Sequence, residues 1–519
     1  MKMLPIGIQS FRKLRENQCL YVDKTAILQK LIDNGSWYFL SRPRRFGKSL
    51  TLSTLEAMFK GSINLFKGLN AEEWVKKQSE YPLPVVRLDV SSLGSYSNGE
   101  ELNQSLIRRL EDIAEDNELQ LKAVNNSGEM LRQFIRILFR RVGLVIVLID
   151  EYDKPILDNL SDLKKANEMR EVLRSFYTTL KSCDEYLRFV FITGISKFSK
   201  VGVFSAMNNL EDISMDKRYG SITGYTQEEL EYVFNDRLNA TADDMKITRD
   251  ELLARMKNYY DGFCFDGNIR LYNPFSILQC LSKGEFRNYW YTSGSPSFMI
   301  KWMKEHQIQD PEDYRHIVVN GNDFISVQEI EQADAASLLY QSGYLTIEKK
   351  EDQLLTLDYP NKEVLNSVSS MYLKLIYRVE GYALLGNQIW KALRQGDIPE
   401  IVRLYNIAIA NITYDDFPKN RNEFWYRSMF IMLLRGAGII SYSEPHTSKG
   451  RADVVLQFNN LTVVLEFKFA QNSSDVENMK RKGIEQMQDR NYFKGYDDEG
   501  RKIISAVLIA DNDKREVVV

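Results

Sequence analysis

One short segment constrains the fold more than any other: an apolar run that enters a Gly-Lys-Ser loop and continues into a helical pattern. Residues 37–50 read WYFLSRPRRFGKSL, and apolar residues at helical spacing follow as far as Met58. This order predicts a strand, a phosphate-binding loop and a helix. Backbone N–H groups at the helix N-terminus would bind phosphate, a lysine would reach its oxygens and a hydroxyl would bind Mg²⁺. The expected nucleotide contacts are Arg44, Arg45, Phe46, Gly47, Lys48, Ser49 and Leu50, with Ser49 also a metal ligand.

This loop on its own leaves two interpretations open. Arg42 stands where such loops usually carry their first glycine. A Gly-Lys-Ser sequence is also compatible with an ordinary strand-to-helix turn and a solvated lysine. A second segment is needed to choose between them.

The run from Leu144 to Glu151 is that second segment. Its apolar part predicts a buried parallel strand, and it ends in two carboxylates. In phosphate-loop enzymes the first, Asp150, would hold Mg²⁺ and the second, Glu151, would polarise the attacking water. The alternative is a buried strand with an acidic turn. The order and spacing of the two segments favour an ATPase with ATP and Mg²⁺ as cofactors.

Further strands are predicted at Pro84–Val90, at Leu187–Thr193 and within 213–223, with helices between them. This alternation predicts an α/β fold with a parallel, doubly wound sheet. Thr193 or Ser196, at the tip of the fourth strand, either senses the γ-phosphate or is simply a polar strand end.

Upstream of the loop, Tyr21, Asp23 and Lys24 are candidates to contact the nucleotide base. The alternative is a capped helix start, with Asp23 or Thr25 at its N-terminus.

Size and composition exclude several classes of protein. A chain of 519 residues is too long for one core, and its 44% hydrophobic and 27% charged residues are typical of a soluble protein. No apolar run is long enough to span a bilayer, and no signal peptide is recognisable. The four scattered cysteines and three histidines suggest neither disulfides nor zinc, so we expect a cytoplasmic protein. The net charge of −3 gives no overall preference for nucleic acid.

The middle of the chain has two patterns. Residues 226–290 predict a helical lid. Residues 324–366 predict a helix followed by a hairpin, which is winged-helix-like; such a unit either binds DNA or joins domains, and the lack of a dense basic helix favours joining. Residues 367–412 are predicted to form a helical linker.

The C-terminal region carries a second group of reactive side chains. Arg451–Leu456 and Leu461–Lys468 predict a hairpin in which Asp453, Glu466 and Lys468 approach one point. Two carboxylates would hold Mg²⁺ or Mn²⁺, and the lysine would orient water for hydrolysis of a phosphodiester. The alternative is an exposed hairpin with a Glu–Lys salt bridge, although unpaired charges in such an apolar strand are costly.

Two neighbouring helices supply weaker candidates for the same cluster. Glu423, on the preceding helix, would orient the site or add a metal ligand. On the following helix, either Gln486 or Gln488 would point towards it.

Taken together, these residues resemble a bacterial family that pairs an AAA-ATPase-like domain with a C-terminal nuclease of the PD-(D/E)xK superfamily. The resemblance rests mainly on residues 21–25, 42–49, 148–153, 272–274, 450–453 and 465–468. It implies that Asp453, Glu466 and Lys468 form the nuclease core, with Gln486 as the accompanying glutamine, and that arginine is usual at position 42. The C-terminal domain would then be restriction-endonuclease-like.

These observations predict four parts: an ATPase over 1–225, a lid over 226–300, a winged-helix-like and helical linker over 301–400 and a nuclease over 401–519. The predicted function is ATP-regulated, metal-dependent cleavage of DNA or RNA, without membrane contact and with homo-oligomerisation possible. The alternative is a nucleotide-dependent switch whose C-terminal domain binds nucleic acid or a protein without cleaving.

Overall fold

The structure is a computed structural model that divides into two compact units. Unit 1 comprises Met1–Trp302 and Tyr314–Glu363, and unit 2 comprises Met303–Asp313 and Val364–Val519. None of the helices within the described residues is long and apolar enough to cross a membrane. The structure describes residues 1–160, 162–196, 203–204, 207–292, 311–321, 324, 335–412, 421–438, 442–443, 446–447, 450–451, 453–458, 460–489 and 502–519.

A parallel five-stranded sheet forms the centre of unit 1, and its strand order is β2-β3-β4-β1-β5. Every residue of the first and third strands is buried, as expected for strands covered on both faces. The predicted α/β fold with a parallel sheet is therefore confirmed. The strands are β1 (Trp37–Ser41), β2 (Val85–Asp89), β3 (Val145–Asp150), β4 (Leu187–Gly194) and β5 (Glu211–Asp212).

The helices that accompany this sheet are set largely by capping residues and apolar periodicity. The Asn98 and Asn126 side chains accept hydrogen bonds from the first turns of the helices Gly99–Asp116 and Ser127–Val142, and each helix buries one apolar stripe. Among the described residues of this region the helices are α1 (Phe11–Glu16), α2 (Thr25–Asn34), α3 (Lys48–Phe59), α4 (Ile63–Phe66), α5 (Glu72–Gln78), α6 (Gly99–Asp116), α7 (Ser127–Val142), α8 (Lys154–Leu157) and α9 (Leu163–Lys181).

The fifth strand lies earlier than predicted. It consists of Glu211 and Asp212, whereas strand formation was expected within 213–223. The strand ends because the Asp212 carboxylate accepts hydrogen bonds from the backbone N–H and hydroxyl of Ser214. Such a local bond competes with sheet pairing and turns the chain.

Helices follow the sheet, as predicted for residues 226–290, while their role as a lid stays a prediction. Their apolar core includes Leu230, Leu252 and Ile277, and Val22 of the N-terminal segment packs into the same core. Thr226 and Glu229 form a capping box at the first lid helix. The helices of this part are α10 (Gln227–Val233), α11 (Asn235–Met245), α12 (Arg249–Tyr260), α13 (Pro274–Lys283) and α14 (Tyr289–Thr292).

The predicted helix and hairpin of the winged-helix-like region are both present. The helix is α15 (Ala335–Gln341), and the hairpin strands are β7 (Thr346–Glu351) and β8 (Leu354–Asp358). A further strand, β6 (Ile317–Asn320), completes an antiparallel sheet of order β6-β8-β7.

Unit 2 contains a sheet of order β15-β14-β13-β12-β9, in which β13 and β14 are parallel and the other pairs are antiparallel. The helices Glu423–Gly436 and Val476–Asp489 contact the strand Leu461–Ala470 of this sheet. The strands outside the region already described are β9 (Tyr442–Ser443), β10 (His446–Thr447), β11 (Gly450–Arg451), β12 (Val454–Gln457), β13 (Leu461–Ala470), β14 (Lys502–Asp511) and β15 (Glu516–Val518). The helices are α16 (Lys362–Met371), α17 (Tyr382–Gln395), α18 (Ile398–Ala410), α19 (Glu423–Gly436) and α20 (Val476–Asp489).

The region predicted to be a linker is helical and belongs to this second unit from Val364 onwards. Asn406 of α18 exchanges two hydrogen bonds with Val517 of β15, at 2.8 and 2.7 Å. These helices thus pack with the C-terminal sheet. The four-part division of the chain itself stays a prediction.

The close approach of Gly262 to Pro360 provides a test of the packing in unit 1. Gly262 has a φ of +99°, and a Cβ there would lie 2.0 Å from the Pro360 carbonyl oxygen. Gly262→Ala should therefore lower the free energy of unfolding by about 2 kcal/mol or more, since strain and a backbone clash combine. Urea unfolding would measure this change.

Gly284→Ala is the matched control. Its φ is +63°, but a Cβ would meet nothing within 4 Å. We expect strain alone to lower the free energy of unfolding by about 1 kcal/mol. Equal losses in the two variants would contradict the described contact.

Candidate active sites

The phosphate loop lies between β1 and α3 at the carboxyl edge of the parallel sheet. Gly47 has a φ of +90° and caps α3, and Arg45 also has a positive φ of 67°. The left-handed conformation at Gly47 turns the chain so that α3 starts directly at Lys48. The first N–H groups of a helix lack intrahelical partners and carry partial positive charge. The loop is therefore built to bind an anion.

Lys48 is folded back into this loop. Its side chain is buried, and Nζ donates hydrogen bonds to the carbonyl oxygens of Arg42 (2.9 Å) and Pro43 (3.0 Å). Burial lowers the pKa of Lys48, while Glu151 and Asp150 raise it. The solvated lysine of the alternative interpretation is thus not observed.

Arg42, which replaces the usual first glycine, is a buried structural group. Its Nη1 donates to the carbonyl oxygens of Ser41 (2.9 Å) and Ser214 (2.7 Å), and its guanidinium lies 4.3 Å from the centre of the Phe265 ring. Burial lowers the pKa of Arg42 to about 10. The side chain ties the loop to residues beyond β5 and to the segment before α13.

The two predicted carboxylates stand beside the loop. Asp150 ends β3 and is buried. Burial raises the pKa of Asp150, and this effect outweighs the hydrogen bond from Ser49 and the charge of Lys48, which both lower it. Glu151 has a positive φ of 50°, and burial raises its pKa while Lys48 lowers it. A non-glycine residue held in this conformation stores strain of about 1–3 kcal/mol, a common feature of functional positions.

The end of β4 distinguishes the two candidate sensors. Ser196 is already engaged, because its hydroxyl donates to Asp153 at 2.6 Å. Thr193 is fully buried, and its hydroxyl has no partner among the described residues. The geometry thus leaves Thr193 as the residue that could bind a ligand.

Asp153 is a residue that sequence analysis missed. It is buried and also accepts hydrogen bonds from the backbone N–H groups of Ile195 (3.1 Å) and Ser196 (2.6 Å). It therefore joins the end of β3 to the end of β4. Its position shortly after Asp150 was the available signal, but the acceptor role depends on a strand distant in sequence.

A narrow cavity of about 60 Å³ lies next to Gly47. Tyr21, Lys24 and Leu50 line it, together with Thr223, whose buried hydroxyl has no partner within the described part of the chain. This arrangement is compatible with recognition of a flat, partly polar ring.

The other upstream candidates have structural partners. Asp23 accepts hydrogen bonds from the N–H (2.8 Å) and hydroxyl (2.6 Å) of Thr25, the first residue of α2. The N-cap position of this helix is Lys24, which makes no side-chain capping bond. Lys24 is ion-paired with Glu229 at 2.6 Å. Burial raises the pKa of the Tyr21 hydroxyl.

The arginine and aromatic residues of the loop also have distinct partners. The Arg44 carbonyl accepts a hydrogen bond from Nε1 of Trp290, at 3.2 Å. The exposed Arg45 guanidinium lies 4.9 Å from the centre of the Phe275 ring. Phe46 is buried, with its ring 4.8 Å from that of Phe263. The Phe46 side chain thus holds the loop in place.

The second candidate site is in unit 2, where β12 and β13 pair as predicted. Val454 lies opposite Leu465, so Asp453 and Glu466 are adjacent in the ladder. Asp453 Oδ2 accepts a hydrogen bond from the Phe467 N–H at 2.7 Å. Burial, with a smaller contribution from the nearby Asp453 carboxylate, raises the pKa of Glu466 to about 7.

Lys468 bridges the carboxylates of this cluster. Its Nζ donates to Glu466 Oε1 (2.9 Å) and lies 3.5 Å from Glu423 Oε1. Burial lowers the pKa of Lys468, but Glu466, Glu423 and Asp453 outweigh it and the net shift is upward. The lysine is thus charged, and the cluster is not an exposed hairpin salt bridge, because Glu466 is only 1% exposed.

The glutamine on α20 that faces the cluster is Gln486. Its Nε2 donates to Glu466 Oε1, whereas Gln488 is exposed. Of the two glutamines predicted as candidates, Gln486 is therefore the one that contacts the cluster.

Arg427 is a second residue that sequence analysis missed. It lies one helical turn after Glu423 on α19, and its Nη1 donates to Asp453 Oδ1 at 3.0 Å. The four-residue spacing from Glu423 was the available signal, because such residues share a helix face.

The donor set of this cluster fits a divalent cation. Glu466 Oε2 is buried and has no hydrogen-bond partner among the described residues, an arrangement that is costly without a ligand. Asp453 and Glu466 supply carboxylate oxygens, which Mg²⁺ and Mn²⁺ prefer. In unit 1, the Ser49 hydroxyl and the Asp150 carboxylate make a comparable oxygen pair.

Comparison with known proteins agrees with this layout. A family profile described as "Predicted AAA-ATPase" matches residues 5–204, and one described as "PD-(D/E)XK nuclease superfamily" matches residues 421–519. A protein of Azotobacter chroococcum mcd 1, described as an uncharacterized protein in the vnfD 5′ region, is 35% identical over 535 residues. The match covers 100% of this chain and 98% of that protein.

Two solved structures show weaker similarity. The Orc1 protein of Aeropyrum pernix, in complex with DNA, is 9% identical with a TM-score of 0.24, over 67% of this chain and 92% of that chain. Cdc6p of Pyrobaculum aerophilum is 12% identical with a TM-score of 0.24, over 81% of this chain and 86% of that chain. At these scores neither structure carries a further argument.

The relative spans the whole chain, and the two profiles fall on the two sites described above. The chain belongs to a family of proteins that pair an AAA-ATPase-like domain with a C-terminal domain of the PD-(D/E)XK nuclease superfamily.

Proposed function

We propose that this protein binds and hydrolyses ATP in unit 1 and cleaves phosphodiester bonds of nucleic acid in unit 2, with cleavage regulated by the nucleotide. The observation that carries this proposal is the buried cluster around Glu466. One carboxylate oxygen is bound by Lys468 and Gln486, and the other has no partner in the described chain. A buried carboxylate oxygen without a hydrogen-bond partner in an apolar strand supports a cation site at this position.

Each residue of the cluster would have a separate task. Asp453 and Glu466 would hold Mg²⁺ or Mn²⁺, which would neutralise the phosphate and make a bound water more acidic. Lys468 would orient the attacking water and stabilise developing negative charge. Gln486 would fix the rotamer of Glu466, and Glu423 would keep the lysine charged.

The residues of unit 1 support binding and hydrolysis of ATP. The N–H groups at the start of α3 and the Lys48 ammonium would bind the phosphates, with Ser49 and Asp150 as ligands of Mg²⁺. Glu151 would accept a proton from the attacking water, and burial helps by raising its pKa towards neutrality. Thr193 would contact the γ-phosphate.

The cavity next to Gly47 supports a site for the nucleotide base, with Tyr21 and Thr223 along its wall. Asp23 and Lys24 would contribute indirectly, because they fix α2 and the lid helix α10 at this cavity. Cytoplasmic function is supported by the four cysteines, which are all unpaired and buried.

Substitution of the cluster tests the nuclease. Lys468→Ala and Glu466→Gln should each reduce cleavage by about 100-fold or more, since general acid–base and charge-stabilising groups contribute factors of this size. The assay would measure cleavage of single- and double-stranded DNA and RNA with Mg²⁺ or Mn²⁺, and a chelator should abolish it.

The exposed Lys482 on α20 supplies a control of equal charge. Lys482→Ala should retain at least half of the activity. If Lys468→Ala cleaves as fast as the parent, the assigned site is wrong. Binding of nucleic acid without any metal-dependent cleavage would instead indicate a nucleotide-dependent switch.

Two substitutions separate ATP binding from hydrolysis. Glu151→Gln should bind ATP with the affinity of the parent, since only the proton acceptor is lost. Its rate of hydrolysis should fall by about 100-fold or more. Lys48→Ala should weaken binding itself, because a charged phosphate contact is removed.

The readouts are nucleotide affinity by calorimetry and release of phosphate. Lys60→Ala, at the other end of α3, is the control and should change neither. Wild-type hydrolysis by Glu151→Gln would exclude this residue as the base.

A further inference from the structure

A buried carboxyl group lies where unit 1 ends. Glu363 is 0% exposed, and its two oxygens accept hydrogen bonds from the Ser276 hydroxyl and the Trp290 N–H, both at 2.7 Å. Burial raises the pKa of Glu363 to about 8. Neither proposed reaction uses this group, so its retention inside the protein needs another explanation.

Trp290 connects this carboxyl group to the phosphate loop. Its backbone N–H binds Glu363, while its indole Nε1 donates to the carbonyl oxygen of Arg44 at 3.2 Å. The indole ring packs edge-on against Tyr344, with centroids 5.2 Å apart. One residue therefore holds the loop through its side chain and Glu363 through its backbone.

The loop has little freedom to move without moving Trp290. A Cβ at Gly343 would lie 2.6 Å from Cβ of Pro43 and 3.3 Å from the indole ring of Trp290. Loop, glycine and indole are thus in direct contact. Close-packed groups of this kind shift together, because there is no void to absorb the displacement.

Nucleotide binding would act on this contact directly. Lys48 Nζ uses two of its three donors on the carbonyls of Arg42 and Pro43, so a bound phosphate would compete with these carbonyls for the same ammonium. The peptide groups just before Arg44 would then share their charged partner with the phosphate. The carbonyl that Trp290 holds is the next one along the chain.

Glu363 lies in the first turn of α16, which crosses the division between the units. The helix runs from Lys362 to Met371, and unit 2 starts at Val364. A π-helical segment, Tyr372–Ile376, follows it directly. Segments of this type inside helices occur frequently at functional positions. A displacement of Glu363 would therefore act on a helix that continues into the unit with the nuclease cluster.

We propose that Trp290 and Glu363 form a relay that transmits the nucleotide state of the phosphate loop to α16. The relay rests on the proposed function in one respect, namely that the loop binds a nucleotide. Trp290 and Glu363 act as positioning residues and touch neither nucleotide nor nucleic acid. The relay requires only that a displacement of the phosphate-loop backbone changes two hydrogen bonds of Trp290, one to the Arg44 carbonyl and one to Glu363.

The experiment is hydrogen exchange over residues 362–376, with and without a non-hydrolysable ATP analogue and Mg²⁺, on the full chain. In the parent, the nucleotide should change the exchange rate of this segment. Trp290→Phe keeps an aromatic ring but removes the indole donor, so most of the nucleotide-induced change in exchange should be lost. The comparison is made at a saturating concentration of the analogue, so that a change in nucleotide affinity does not affect it.

Trp74→Phe is the matched control. Its Nε1 donates to Asp33 at 3.3 Å, away from the relay, and the variant loses the same kind of bond. It should respond to nucleotide as the parent does. Should Trp290→Phe fail to fold, Glu363→Leu, which removes both acceptor oxygens, tests the connection from its other end and should show the same loss.

The outcomes separate this inference from the proposed function. If nucleotide binds and the exchange of 362–376 does not respond, or responds equally in Trp290→Phe, the relay is overturned while the ATPase assignment stands. If the parent binds no nucleotide, both are overturned. In the nuclease assay, the ratio of rates with and without nucleotide should move towards one in Trp290→Phe, while the rate without nucleotide changes little.

Discussion

The parallel pairing of β1, β4 and β3 is the constraint on which the first site depends. The register sets Leu40 beside Thr193 and Ile149 beside Ile192, so the three strands end at one edge. The phosphate loop follows β1, and Asp150 ends β3. Parallel strands gather their carboxyl ends in this way only because each connection crosses back through a helix. Without that register, the lysine and the carboxylates would lie apart.

Both candidate sites contain the same arrangement, a partly or fully buried carboxylate beside a lysine. Glu151 faces Lys48 in unit 1, and Glu466 binds Lys468 in unit 2. Removing a charge from water is expensive, and the partner only partly offsets the cost. Burial therefore raises the pKa of each carboxyl group towards neutrality. A group in this state can accept a proton or a cation without much rearrangement.

Sequence analysis was mostly correct where the interactions join residues close in the chain, and it failed where they join residues far apart in the chain. Strand patterns and the turn between β12 and β13 are local, so the meeting of Asp453 with Glu466 was predictable. Arg427 and Asp153 were missed, because their partners lie on other elements. The contact between Trp290 and Arg44 joins residues 246 positions apart, and no local sequence pattern predicts it. The fifth strand was misplaced because a side-chain hydrogen bond at Asp212 ended it early.

By itself, the sequence determined the elements and their chemistry: apolar runs that must be buried, a loop that ends in Gly47-Lys48-Ser49, and charged residues within the apolar strand β13. Tertiary structure alone decided which residues share a site. It engaged the Ser196 hydroxyl with Asp153 and left the Thr193 hydroxyl without a partner among the described residues, and it brought Gln486 rather than Gln488 to Glu466. It also buried the Arg42 side chain, which holds the phosphate loop through its hydrogen bonds to backbone carbonyl groups. Local sequence encodes the conformation of a segment, whereas the partners of its side chains depend on close packing between segments far apart in the chain.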